Sequence, residues 1–185
     1  MGLLLLLTPL AANATTATTT ISSTISPVIS LLSSNGTVNL NATPTTGGVQ
    51  TIASDTVTVS TNDSAGYTLK LGETSATTTL TSGGNTIAAS SGSQASPVAE
   101  TPSSWGYRVD GVGGFGAGPT SPAANQVIAS TKFAAVPASG SPDTLVTTSS
   151  TASGATTTVW YGLAVNTAVP SGTYSNSVTY TATAN

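Results

Sequence analysis

Few residues in this chain could do chemistry. Its 185 residues include no histidine and no cysteine, and only three Lys or Arg stand against six Asp or Glu. Ser-His-Asp and Cys-His catalysis are therefore excluded, and zinc or copper would lose their usual ligands. Ser-Lys chemistry and carboxylate pairs remain. Serine is too abundant for its nearness to Lys70 or Lys132 to signify, and no Ser-x-x-Lys motif occurs. Nothing in the spacing of Asp55, Asp63, Glu73, Glu100, Asp110 and Asp143 gathers the two acids that an acid-only hydrolase needs.

Asn62-Asp63 and Asp110-Gly111 carry oxygens that suit calcium, but no Asp-x-Asp-x-Asp run concentrates them, so they read as turn formers. An intramolecular isopeptide bond would need a buried lysine, an asparagine and a buried acid, for which the candidates are Lys70, Asn176 and Glu100. Lys70 alternates with Leu69 and Leu71 and so faces away from the core. Asn176 shares the inward parity of Tyr174, Val178 and Tyr180. The sequons at Asn35, Asn41 and Asn62 are expected by chance in a chain this rich in Ser and Thr. The sequence thus assigns no catalytic, cofactor-binding or metal-ligating residue, and the expectation is a protein that is not an enzyme.

The basic residues Lys70, Arg108 and Lys132 are scattered, and the net charge is -3. Nucleic acid and anionic membrane surfaces both require clustered cations, so neither is an expected partner.

Positioning elements can be read along the chain. Leu3 to Leu7, followed by Ala12-Asn13-Ala14, reads as the apolar region and cleavage site of a secretory signal peptide over residues 1–14, although no Lys or Arg precedes it. The apolar stretch is too short to span a bilayer, so the mature chain is expected to lack a membrane span. Export without cysteine points to a bacterial envelope. Residues 15–36 are Thr/Ser-rich and uncharged; Ile21, Ile25, Ile29 and Leu31 share strand parity, while residues 21, 25, 28 and 32 also fit a helical face. β-branched content and Pro27 favour an extended arm, or an ordinary first strand, ending at Asn35-Gly36.

Residues 37–185 read as one domain. Strands are expected at 37–40, 77–81, 85–89, 105–109, 132–136 and 144–147. Residues 55–60 and 66–72 alternate cleanly around the turn-rich segment 61–65 and read as a hairpin. Residues 156–166 and 172–183 read as two long strands joined across Pro170 and Gly172. Gly111 to Gly118 form a Gly-rich loop around Phe115. Many short strands and no amphipathic helix in the body predict an all-β fold, a single antiparallel β-sandwich with an extended N-terminal arm.

Asp55-Thr-Val-Thr-Val59 with Gly66-Tyr67-Thr-Leu69, Trp105-Gly106-Tyr107, Val159-Trp-Tyr161-Gly162 and Pro170-Ser-Gly172-Thr-Tyr174 together resemble uncharacterised secreted surface proteins of Gram-positive-type and ultra-small bacteria. The end of the chain is similar to WxL-like cell-wall proteins and fimbrial, pilin-like subunits. The resemblance covers residues 37–185 and implies an immunoglobulin-like or jelly-roll sandwich outside the cell, serving adhesion, surface coating or filament building. The chain lacks a Trp-x-Leu motif, an LPxTG-type signal and the cysteine pair of many fimbrial subunits. Attachment is therefore expected to be non-covalent or through assembly.

Two functions follow as expectations. One is a non-enzymatic structural or adhesive cell-surface protein that self-associates or meets other surface proteins, with residues 15–36 as a strand for a neighbour's sheet. The other is a module binding glycans or another cell's surface through exposed aromatics and the loop around Phe115. The two differ in whether Trp105 and Trp160 are buried.

Overall fold

The structure is a computed structural model and describes residues 14–185. The leader reading lies outside the described residues except for Ala14, which is exposed. All regular elements among the described residues are strands: β1 (Ile29–Ser33), β2 (Val49–Thr61), β3 (Tyr67–Glu73), β4 (Leu80–Ser82), β5 (Asn85–Ala89), β6 (Val98–Ala99), β7 (Ser104–Arg108), β8 (Ala123–Gln126), β9 (Lys132–Phe133), β10 (Asp143–Thr147), β11 (Ala152–Val165) and β12 (Val178–Ala184). No helix among the described residues is long and apolar enough to cross a membrane.

The longest strands organise the rest. β2 and β11 pair antiparallel from Ala152 opposite Thr61 to Val165 opposite Val49, with one irregularity between Ala152 and Ala155. They lie at the centre of a seven-stranded sheet ordered β1-β2-β11-β7-β5-β4, with β8 also against β2. A second sheet has the order β10-β3-β12. Odd-numbered Val57, Val59, Val159, Tyr161 and Leu163 of the first sheet share a buried core with Tyr67, Leu69, Leu71 and Leu145 of the second. The molecule is thus all-β and sandwich-like, two sheets closing over one apolar interior.

The expected hairpin is not a hairpin. β2 and β3 alternate as the sequence reads, but they belong to different sheets, as do β11 and β12. Asn62 to Gly66 carries the chain over the end of the sandwich from one sheet to the other, a span of roughly 10 Å between packed sheets. Alternation marks which face of a strand is buried and is silent on which strand lies beside it, so both connections satisfy the same pattern. Gly66 makes the crossing possible: its φ of +87° is left-handed, and a Cβ there would collide with the Thr148 carbonyl oxygen. The expected strand at 37–40 is irregular chain instead, with Val38 and Leu40 half-buried against the core. Ile29–Ser33 pairs within its own chain, opposite Val57–Thr61, whereas Ala14–Val28 has no regular structure.

The outer face of the large sheet is buried too. Gly106 and Gly162 stand directly opposite one another on β7 and β11. Without side chains they form a flat floor. The Phe133 ring, carried by the short ribbon of β6 and β9, lies so close that a Cβ on Gly162 would come within 2.6 Å of it. Phe133 packs there with Ile52 and Trp160 as a second small core. This is why the run Trp160 to Val165 is buried on both faces. Gly162→Ala is expected to destabilise the protein by about 1–3 kcal/mol through overpacking. Combined with Phe133→Leu, its cost in denaturant unfolding should fall well below the sum of the single changes; additivity would mean the ring is not what Gly162 accommodates.

Candidate functional site

Two acids share the interior with two tyrosines. Asp55 has the inward parity of Val57 and Val59, and Glu73 that of Tyr67, Leu69 and Leu71. Between them the hydroxyls of Tyr161 and Tyr180 meet at 2.7 Å, tying the two sheets together. Asp55 is 3% exposed yet well supplied: Ser33 Oγ donates to it at 2.6 Å, Ser34 Oγ at 2.9 Å and the Asn35 amide at 3.0 Å. All three donors come from the end of β1 and its turn. Asp55 is therefore the latch that holds β1 on the sheet, since losing that segment would leave a buried, unpaired carboxylate. Glu73 has no such help, with neither carboxyl oxygen meeting a donor at 1% exposure. Burial raises its pKa from 4.5 to about 7. Burial first, and then the neighbouring Tyr180 and the charges of Asp55 and Glu73, push the Tyr161 hydroxyl well above the ordinary tyrosine range.

A second polar group lies under the outer face. Glu100 touches Ser104 Oγ, while Ser104 Oγ also lies 2.7 Å from the Thr101 carbonyl oxygen. Ser104 Oγ donates to the Glu100 carboxyl group and accepts from the Thr101 amide at 3.1 Å. Burial likewise raises the Glu100 pKa to about 7, against a smaller opposing effect of the Ser104 hydrogen bond. Arg108 is 1% exposed and fully used: it pairs with Asp110 at 2.9 Å and donates to the carbonyl oxygens of Lys132, Phe115 and Gly116. Raised acid pKa values are what a general acid needs. Glu73 and Glu100 are sealed from solvent, however, and neither lines either of the two surface clefts described below.

The residues considered from sequence fall apart in space. Lys70 is exposed on β3 between Thr144 and Thr181, Asn176 donates to the Thr77 and Thr79 carbonyl oxygens, and Glu100 lies outside the other sheet. The isopeptide set is not assembled. Asp63 caps its own turn by accepting from the Ala65 amide at 2.9 Å, and Asp110 is taken by Arg108. No group of three or more Asp or Glu that could hold a metal occurs among the described residues. Trp105, Trp160 and Phe115 are 3%, 6% and 4% exposed, with Phe115 edge-on to Tyr107 at 5.5 Å. The chain matches no family model, no curated protein and no solved structure.

What lies open is apolar and unpaired. Ile21, Ile25 and Val28 are 92%, 83% and 65% exposed. Asn62 fixes the root of their segment by accepting from the Val28 amide at 2.7 Å and donating to the Ser26 carbonyl oxygen at 3.1 Å. A shallow cleft beside this clasp is lined by Val28, Ser30, Asn62 and Ala152. A larger one, of about 460 Å³, opens along Thr156 to Thr158 of β11, between Val109, Val112 and Val146.

The buried acids set a pH dependence. Each folded-state pKa lies above the unfolded value, so protonation favours the folded state. That contribution is complete below about pH 4.5, is lost as pH rises to about 7, and is on the order of 3 kcal/mol per acid. Unfolding free energy should therefore fall between pH 4.5 and 7 and level off above. Glu73→Gln and Glu100→Gln should each flatten part of that slope in urea titrations across the range; an unchanged slope would contradict the assignment.

Proposed function

We propose that this is a non-enzymatic structural or adhesive protein of the bacterial cell surface, a sandwich of immunoglobulin-like or jelly-roll type whose subunits associate by strand addition. The observation that carries this reading is the segment Ala14–Val28, which is uncharged, lacks regular structure and holds Ile21 and Ile25 almost wholly in water. Exposing two isoleucines on an N-terminal arm costs solubility unless they have somewhere to go. The sheets offer little resistance to such pairing. β12, at the edge of its sheet, runs from Val178 to Ala184 with no charge, no proline and an unbroken register, so it lacks the usual devices against edge-to-edge association.

The exterior location rests on the leader reading, the absence of cysteine and the resemblance of residues 37–185 to secreted surface proteins. Burial of Trp105, Trp160 and Phe115 removes the aromatic platform that a glycan-binding module would present, and this favours association over sugar recognition. The full chain is expected to self-associate at micromolar concentration in sedimentation velocity, as a polymer or as closed oligomers. Ile21→Ser with Ile25→Ser should leave a monomer whose unfolding free energy is within about 0.5 kcal/mol of the parent, because both side chains are exposed in the single subunit. A parent chain that is already monomeric would overturn the reading.

A further inference from the structure

The large sheet has a vacant lane. β11 is paired with β2 along its whole length, but on its other side β7 accompanies it only from Trp160 to Ala164. The Ala164 carbonyl oxygen accepts from the Ser103 amide on that side, so even-numbered residues of β11 direct their backbone groups there. β7 ends opposite Trp160, and among the described residues no strand follows it along Thr158 and Thr156. Their amide and carbonyl groups therefore face the 460 Å³ cleft, which is lined by Val109, Val112 and Val146 of the main core, by Trp160 of the smaller core and by Pro119. The only charged side chain lining it, Asp110, is already paired with Arg108.

From this lane we infer a docking site for residues 20–26 of a second copy, which add as a strand beside Thr156–Thr158 in the position β7 vacates. The inference rests on the self-association reading and names its acceptor. The fit is chemical and geometric. Ile21 and Ile25 share one face of an extended strand, which would enter the cleft over Val109, Val112 and Val146, while Ser22 and Thr24 on the other face would stay in water beside the exposed Thr156 and Thr158. The segment and the lane are both uncharged apart from the neutralised Asp110, so docking buries no unpaired charge. A copy supplies the strand better than the chain itself does. The Asn62 clasp roots the arm on the β1 side of β2, while the lane lies on the far side of β11, so the chain's own arm would have to double back over the ends of two strands.

Because the chain has no cysteine, engineered disulfides can read the docking directly. Full-length Thr24→Cys is mixed with full-length Thr156→Cys or Thr158→Cys, or with Thr181→Cys on β12 as a competing edge, and oxidised mildly. All four positions lie at exposed or half-buried residues, so the substitutions spare the core. The expected result is a disulfide-linked pair of different chains at Thr156 or Thr158, about tenfold more abundant than at Thr181, as the high local concentration of a docked strand requires. Continued self-association with linkage at Thr181, or with none at Thr156 and Thr158, overturns this inference while leaving the proposed function standing. A chain carrying both Thr24→Cys and Thr158→Cys that closes on itself as a monomer at high dilution overturns the second-copy assignment. A parent chain without self-association overturns both.

Discussion

Everything in this fold hangs on the ladder between β2 and β11. The two strands are about a hundred residues apart in sequence and pair over twelve register positions, from Ala152–Thr61 to Val165–Val49. On one face the ladder supplies Val57, Val59, Val159 and Tyr161 to the main core; on the other it supplies Ile52, Trp160 and the Gly162 floor to the smaller one. β1, β7 and β8 all add to it. A contact of such long range has a high entropic cost to close, so the fold gains nothing from its centre until most of the chain is collected.

The interior is held without the charge pairing that larger soluble domains use freely. Arg108 with Asp110 is the one ion pair among the described residues. In its place the sheets are joined by neutral hydrogen bonds, Tyr161 to Tyr180, and by the Tyr107 hydroxyl donating to Asp143 at 2.6 Å. Two buried acids, Glu73 and Glu100, have pKa values raised by burial to about 7, and Asp55 is wrapped by donors from Ser33, Ser34 and Asn35. Such an interior depends little on ionic strength, because there is little for salt to screen.

Strand faces were legible in the sequence, and strand neighbours were not. The closing alternation holds residue by residue: Tyr174, Asn176, Val178, Tyr180, Ala182 and Ala184 are half-buried, and the Ser and Thr between them are exposed. Hairpin and crossing give one and the same alternation, so the pairing of β2 with β11 over β3 could not be seen. The interior acids carried a usable signal, since Asp55 and Glu73 continue the parity of their apolar neighbours, but partners from separate strands only meet in three dimensions. The arm's helical and extended patterns coincide at Ile21 and Ile25, and no local rule separates them.

The facing glycines also bear on how this chain can change through descent. Gly106 lies under the Ala134 carbonyl oxygen and Glu100, and Gly162 under the Phe133 ring. A first side chain at either position meets these atoms and costs stability, as expected above for Gly162→Ala. Single-step drift is thus disfavoured at this pair, while the Ser and Thr of the outer strand faces interchange at little cost. Among descendants of a common ancestor, the two glycines and the ring above them would outlast nearly every other recognisable trace of kinship.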